Sequence, residues 1–158
     1  MRAIVQVTRK SALTVEDKEL WSAGAGMVVL LGIAREDTRE TADKMIDKLL
    51  KLRIFPDENG KINLSALQTG GEIAVISNFT LYANCAASRR PDFARAMGYQ
   101  EARELYAYFL RTMEQSARAW ADPAGPVPVI RGGVFGGDML LEIHNDGPLT
   151  VILDSADF

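Results

Sequence analysis

The sequence contains one cysteine, Cys85, and one histidine, His144, among its 158 residues. A lone cysteine excludes a disulfide within the chain, and one cysteine with one histidine falls short of the three or four ligands of a usual zinc site. Any Ser-His-Asp or Cys-His arrangement within one chain would also have to use His144. These absences exclude a disulfide scaffold and a zinc module, and we expect no metal and no other cofactor.

Long hydrophobic runs are also missing. No apolar segment approaches the ~18 residues that a membrane-spanning helix needs, and the first residues follow an amphipathic strand pattern rather than that of a signal peptide. We therefore expect a soluble, cytoplasmic protein with no membrane partner. The 18 basic and 21 acidic residues give a net charge of -3. Any nucleic acid is therefore expected to be contacted locally, because broad neutralisation of phosphates requires a basic surface.

The hydrophobic pattern that is present predicts two helices and several strands. One helix follows the N-cap candidates Asp37 and Thr38 and ends before Arg53, and the other spans about 99–120. Residues 122–137 are rich in proline and glycine, which predicts a loop. Alternating or continuous apolar runs predict strands at 3–7, 13–21 (with an acidic turn near Glu16 and Asp17), 27–33, 53–55, 73–76, 139–143 and 149–153.

These elements predict an α/β fold. The expected architecture is a single domain over residues 1–158, in which a mixed and mostly antiparallel sheet is covered by two helices. No internal repeat, low-complexity tract or change of composition indicates a domain boundary.

The segment Ser77-Asn78-Phe79-Thr80 follows a buried strand and is the first candidate site. Hydroxyl and amide groups at the end of a central strand are held rigidly and still reach solvent, which favours a ligand site. The alternative is that Ser77 and Thr80 only satisfy backbone groups at the strand end.

A second candidate is the segment Asn145-Asp-Gly-Pro-Leu-Thr150 between the last two predicted strands. Asn-Asp-Gly is typical of a turn, and proline is tolerated at the start of an edge strand because it has no N–H to donate. By itself the segment is therefore explained by a turn, and the sequence does not determine whether the Gly147–Pro148 bond is cis.

A histidine-dependent esterase is a further alternative, with Ser77 or Thr80 as nucleophile and His144 as base. No Gly-x-Ser-x-Gly elbow surrounds any serine, which weakens this hypothesis. The glycine pairs at 132–133 and 136–137 lack the Lys-Ser/Thr of a phosphate-binding loop, so nucleoside triphosphate binding is not supported.

Taken together, the segments resemble the D-aminoacyl-tRNA deacylases, also called D-tyrosyl-tRNA deacylases, over essentially the whole chain. The likeness depends on several motifs in order rather than on any one of them. These are Met1 to Val15, Leu52-Arg-Ile-Phe55, Gly60-Lys-Ile-Asn-Leu64, Gly70-Gly-Glu72, Ser77-Asn-Phe-Thr-Leu-Tyr82, Arg89-Arg-Pro91, Phe135-Gly-Gly-Asp-Met139, Asn145-Asp-Gly-Pro-Leu-Thr150 and Ile152-Leu-Asp-Ser155.

The resemblance implies a D-tyrosyl-tRNA deacylase-like fold with a barrel-like sheet, and a hydrolase that acts in translation quality control. Such an enzyme cleaves the ester between a D-amino acid and the 3′-terminal adenosine of tRNA, which is a chiral proofreading step. Glycine is achiral, so mischarged glycyl-tRNA is an expected second substrate. The expected partners are the 3′ end of aminoacyl-tRNA and a second copy of the chain in a homodimer.

The resemblance also implies roles for particular residues. Ser77, Asn78, Phe79 and Thr80 form the catalytic segment, in which main-chain N–H groups around Phe79 and Thr80 hold the developing oxyanion. The attacking group is left open between Thr80 and a hydroxyl of the substrate ribose.

The substrate-binding residues implied by the resemblance come from two segments. Gly147 and Pro148 of the partner subunit hold the α-amino group and exclude an L side chain. Phe135, Gly136 and Met139 match the family segment that lines the pocket.

Three positions depart from the usual family pattern. Asn78 stands where the family usually has glutamine, and Val7 and Val134 stand where it usually has arginine. In typical members the arginine at the first of these two positions braces the Gly-Pro loop. The departures leave two alternatives open: a relative with altered aminoacyl-tRNA specificity, and a noncatalytic module that binds the tRNA end.

Overall fold

The computed structural model describes residues 1–86 and 89–158. Within these residues there are eight strands, which are, in chain order, β1 (Arg2–Val15), β2 (Lys18–Ala23), β3 (Gly26–Gly32), β4 (Phe55–Pro56), β5 (Ile62–Leu64), β6 (Glu72–Ser77), β7 (Ile130–Gly132) and β8 (Met139–Asp154). The helices of the same residues are α1 (Arg39–Lys51), a single turn α2 (Ala66–Thr69), and α3 (Tyr99–Trp120). None of these helices is long and apolar enough to cross a membrane.

The strand β1 organises the main sheet, because it pairs antiparallel with three other strands. Its first half lies between β3 and β8, and its second half lies between β2 and β8. The sheet continues through parallel pairs from β3 to β6 and from β6 to β7. The indole N–H of Trp21 in β2 donates to the carbonyl of Gly132 at 2.9 Å, which brings the far end of the sheet back towards its start. The predicted mixed, mostly antiparallel and barrel-like sheet is confirmed.

The parallel pairing of β3 with β6 depends on a glycine. A Cβ atom on Gly26 would lie 1.9 Å from the carbonyl oxygen of Glu72, far inside van der Waals contact. Both strands are almost wholly buried, as expected for parallel strands covered on both faces. This close approach belongs to the register in which Gly26 pairs with Glu72 at the start of β6 and Leu31 pairs with Ser77 at its end.

Both predicted helices are present and cover the sheet. Thr38 caps α1 by accepting a hydrogen bond from the backbone N–H of Thr41, and α3 has the predicted bounds 99–120. The apolar stripe of each helix is buried in the main core, as the spacing predicts. The buried residues are Ala42, Met45, Ile46, Leu49 and Leu50 in α1, and Ala102, Leu105, Tyr106, Phe109, Met113 and Ala117 in α3.

Several predicted strands have the wrong boundaries, among them 53–55, of which only Phe55 belongs to a strand. The predicted acidic turn near Glu16 and Asp17 is confirmed, since these residues have φ values of 49° and 60°. It separates β1 from β2, so residues 13–21 are not one strand. The predicted closing strands 139–143 and 149–153 belong to the single strand β8, so the expected turn between them is absent. Pairing with the long strand β1 on both sides of residues 146–149 keeps β8 continuous.

Short elements were missed where little periodicity is available. Residues 130–132 form β7 inside the predicted loop 122–137, and β5 pairs with β4 beyond the predicted strand 53–55. Three residues are too few to produce a recognisable period, so these strands are defined by their partners rather than by their own sequence.

Candidate active site

A cavity of about 610 Å³ opens at the end of β6. Its floor includes Leu31 of β3, and one wall is formed by Ser77, Asn78 and Phe79. The rest of the lining consists of Ile33, Phe93, Ala96, Met97, Tyr99, Ala102, Phe135, Gly136, Gly137 and Met139. The cavity therefore has predominantly apolar and aromatic walls with a few polar groups at one end, a composition typical of small-ligand sites.

The polar end of the cavity is a tight turn. After Ser77 ends β6, residues Phe79–Tyr82 form one turn of 3₁₀ helix, held by a 2.7 Å hydrogen bond from the N–H of Asn78 to the carbonyl of Leu31. The first N–H groups of such a turn have no partner inside it, so those of Phe79 and Thr80 can bind an anionic oxygen. The hydroxyl of Thr80 donates to the side-chain oxygen of Asn78.

The turn is also held from β1 by the guanidinium of Arg2. Its Nη1 donates to the carbonyl of Leu81 at 2.9 Å, and its Nη2 donates to Asp154 at 2.8 Å. Burial opposes ionisation of Asp154, but hydrogen bonds from the N–H of Ala156 and from Arg2 hold the pKa of this carboxyl below its usual value. The guanidinium also lies over the ring of Tyr82, 5.0 Å from its centroid. These contacts attach both ends of the chain to the 3₁₀ turn.

Four aromatic rings surround the rest of the cavity. The side chain of Phe79 is 58% exposed, and its ring packs edge-to-face against that of Phe93 with 5.0 Å between the ring centroids. In another part of the lining, the rings of Phe135 and Tyr99 pack edge-to-face with 5.2 Å between their centroids. Exposed rings around a cavity offer stacking surfaces for a base or an aromatic side chain.

The wall that carries Phe135 is anchored by a buried phenol. The hydroxyl of Tyr106 donates to the carbonyl of Val75 at 2.7 Å and accepts from the N–H of Gly133 at 2.9 Å. Burial raises the pKa of Tyr106 to about 12, so the phenol remains protonated and can donate at neutral pH. Gly136 has φ +72°, and a Cβ there would lie 2.7 Å from the Tyr99 hydroxyl. The wall thus depends on the hydrogen bonds of Tyr106 and on the absence of a side chain at Gly136.

Six of the nine predicted site residues line this one cavity: Ser77, Asn78, Phe79, Phe135, Gly136 and Met139. Thr80 is the next residue of the turn and contacts Asn78. Gly147 and Pro148 do not line the cavity of their own chain. They lie in β8, where residues 146–149 bulge out opposite Val7, and both are exposed. The peptide bond between them is cis, and Gly147 has φ +112°.

The remaining chemically active side chains lie elsewhere. His144 is exposed on β8, paired with Lys10 of β1, and does not line the cavity. Cys85 is exposed and is not in the cavity wall. Among the described residues, no group of three or more His, Cys, Asp or Glu side chains could hold a metal ion.

Sequence reasoning missed Phe93 and Tyr99 as cavity residues. Phe93 follows the Arg89-Arg-Pro91 motif, and Tyr99 is the first residue of α3. The only available signal was the presence of aromatic residues next to a helix start and a recognised motif, because neither belongs to a buried stripe.

Comparisons with known proteins agree with this geometry. Residues 4–154 match the family model described as D-Tyr-tRNA(Tyr) deacylase. The chain belongs to this family. A relative from Clostridium botulinum (strain Alaska E43 / Type E3), named D-aminoacyl-tRNA deacylase, is 46% identical over 99% of this chain and 98% of its own length. Another of the same name, from Clostridium kluyveri, is 44% identical over 98% of this chain and 97% of its own.

Solved structures of the same fold are also similar to this family member. A structure described as c-Myc DNA Unwinding Element Binding Protein has a TM-score of 0.85 and 36% identity, covering 98% of both chains. A structure of a probable eukaryotic D-amino acid tRNA deacylase has a TM-score of 0.74 at 21% identity, covering 96% of this chain and 97% of its own. The second likeness supports the fold alone.

The anchoring role of Tyr106 predicts a stability effect that a surface tyrosine does not share. Tyr106→Phe removes both hydrogen bonds of the hydroxyl, whereas the direct bond from the N–H of Gly133 to the carbonyl of Val75 at 3.2 Å remains. The free energy of unfolding should therefore fall by about 1 kcal/mol. Tyr108→Phe, which removes an exposed hydrogen bond from the same helix to Asp43, should change it by less than about 0.5 kcal/mol. Urea denaturation measures both, and equal losses would contradict the anchoring role.

Proposed function

We propose that the chain hydrolyses the ester between a D-amino acid and the 3′-terminal adenosine of tRNA, releasing free tRNA and the D-amino acid. Family membership and relatives named D-aminoacyl-tRNA deacylase over the full length support this activity. The observation that carries it to particular residues is the single cavity that joins the turn at Ser77–Phe79 to the wall at Phe135–Met139.

The chemistry needs little more than positioning. An aminoacyl ester is already activated, so holding it against preorganised N–H groups supplies much of the catalysis. In the proposed site, the N–H groups of Phe79 and Thr80 hold the carbonyl oxygen as it becomes anionic. The oxygen of a water molecule adds to the carbonyl carbon and the bond to the ribose oxygen breaks. The proton that the water loses is taken up by that ribose oxygen.

Thr80 is proposed to orient the reacting groups rather than to attack. Its hydroxyl donates to the amide oxygen of Asn78, and an amide cannot act as the base that a threonine nucleophile requires. His144 is exposed and does not line the cavity. The support therefore favours attack by water, assisted by a hydroxyl of the substrate ribose, over the histidine-dependent esterase.

Chirality is proposed to be read by a second copy of the chain. Gly147 and Pro148 are exposed on a bulge and do not line their own cavity, which suits a role in the partner's site. The strand β8 pairs only with β1 among the described strands, and its Leu140 and Ile152 are 66% and 67% exposed. Exposed apolar side chains along an edge strand support a homodimer.

In this dimer, the carbonyls of Gly147 and Pro148 hold the α-amino group and leave no room for an L side chain. Specificity of this kind is a clash built against the wrong enantiomer. Glycine has no side chain to collide, so mischarged glycyl-tRNA is a second proposed substrate. We also propose that residues 1–158 act as one domain and that the protein works in the cytoplasm in translation quality control.

The direct test is deacylation of D-tyrosyl-tRNA and L-tyrosyl-tRNA by the purified protein. We expect the D ester to be hydrolysed faster by on the order of 100-fold, a ratio that a steric clash in the site can supply. Equal rates would identify a relative with altered specificity. Binding of charged tRNA without turnover would identify a noncatalytic module that recognises the tRNA end.

The role of Thr80 predicts a graded loss. Thr80→Ala should lower kcat by about 10- to 100-fold without changing the oligomeric state, because the oriented hydroxyl is lost and the backbone N–H groups remain. Thr80→Ser keeps the hydroxyl and should retain most of the activity. Single-turnover deacylation measures the step, and an unchanged kcat in Thr80→Ala would contradict the assigned role.

Mixed dimers test whether the site is shared. A dimer of one Thr80→Ala protomer with one Pro148→Ala protomer contains one unmodified site only if each site uses both chains. We then expect hydrolysis of the D ester to recover while the L ester stays intact. If Gly147 and Pro148 served their own chain, the Pro148→Ala protomer of the isolated mixed dimer would hydrolyse the L ester.

A further inference from the structure

One side chain, Asn145, closes the base of the bulge in β8. Its Nδ2 donates to the carbonyl of Val7 at 2.8 Å and to the carbonyl of Leu149 at 2.9 Å. Both hydrogens of the amide are therefore used, one towards β1 and one across the bulge. The side chain is half-buried, so water competes less for these bonds than at an exposed site.

The bulge has few other means of holding its shape. The register runs from Gln6 opposite Thr150 to Thr8 opposite Asn145, so Val7 alone faces residues 146–149. Pro148 has no N–H to contribute to a ladder. Asn145 replaces the missing ladder bonds with two side-chain bonds, which fix the distance between the two ends of the bulge and attach it to β1.

The orientation of the amide is itself set by neighbours. The hydroxyl of Thr150 lies 3.4 Å from Oδ1 of Asn145 and accepts a hydrogen bond from the side chain of Gln6 at 3.2 Å. A carbonyl oxygen can only accept, so the NH₂ group has to face Val7 and Leu149. In this network the NH₂ group of Asn145 donates to the two carbonyls, and its Oδ1 accepts from Thr150.

An exposed ion pair on the same bulge provides a contrast. Arg9 donates to Asp146 at 2.9 Å, but the two side chains are 80% and 41% exposed. Solvent screens such a pair, and its contribution to local order is small. The side chain of Val7 is buried in the core, so the contact with Asn145 uses only its backbone carbonyl. A valine at this position is therefore compatible with a braced bulge.

We propose that Asn145 is a positioning residue, which holds the Gly147–Pro148 bulge in the conformation that rejects L substrates. This inference rests on the proposed function for its catalytic consequence. The contacts that carry it are the two hydrogen bonds from one amide, across the bulge and to β1.

The test compares Asn145→Asp and Asn145→Ala with the wild-type dimer. The aspartate keeps the shape but places an acceptor against two carbonyls, and the alanine removes the side chain. In both we expect the D-to-L ratio of kcat/KM to fall roughly 30-fold, the factor for two lost hydrogen bonds of ordinary net strength. The fall should come from faster hydrolysis of the L ester, and the backbone amides of Asn145 and Thr150, which pair with Thr8 and Gln6 at the two ends of the bulge, should exchange hydrogen faster.

Two further variants separate this role from a general effect on folding. Asp146→Asn removes the negative charge of the exposed pair with Arg9 and should leave both the ratio and the exchange rates unchanged. Thr150→Val removes a partner of the Asn145 amide and should shift both in the same direction as Asn145→Ala, by a smaller factor. If neither Asn145 variant folds, Thr150→Val provides the test.

The outcomes are distinguishable. Unchanged amide exchange in the variants, or an unchanged D-to-L ratio in a folded dimer, would overturn the role of Asn145. A wild-type protein without preference for the D ester would overturn the proposed function, and with it the catalytic consequence. Hydrogen exchange would still decide whether Asn145 holds the bulge.

Discussion

The long strand β1 connects the two elements of the proposed site, because it pairs with both β3 and β8. Through β3 and β6, the strand β1 determines where the polar turn after Ser77 stands, and through β8 it carries the bulge with Gly147 and Pro148. Arg2 of β1 adds a direct hydrogen bond to the carbonyl of Leu81 in that turn. A single strand thus supports both elements of the proposed site, although they do not meet within one chain.

The cavity and the bulge divide the proposed work by their chemistry. The cavity offers aromatic rings and main-chain N–H groups, which suit a terminal nucleoside and an ester carbonyl. An acidic chain of net charge -3 is compatible with this local recognition, because it does not depend on broad neutralisation of phosphates. The bulge offers backbone that can exclude the L enantiomer by a steric clash. This exclusion requires no polar contact with the side chain of the substrate.

Much of the fold was predictable because its long elements carry strong periodicity. The helix 99–120 repeats apolar residues at helical spacing, and the buried strands at 27–33 and 73–76 are continuous apolar runs. The continuity of β8 was not predictable, because Asn-Asp-Gly-Pro is typical of a turn and only the register with β1 turns it into a bulge. The cavity residues of the recognised motifs were predicted, whereas Phe93 and Tyr99 enter the wall through tertiary contacts that leave no periodic signal.

The central claim is that the bulge of one protomer faces the cavity of its partner. A crystal structure of the dimer tests this through the distance between Pro148 of one protomer and Phe79 of its partner. We expect van der Waals contact or a gap of one substrate group, about 4–8 Å. A dimer in which the two are remote, or a protein that is active as a monomer, would contradict it.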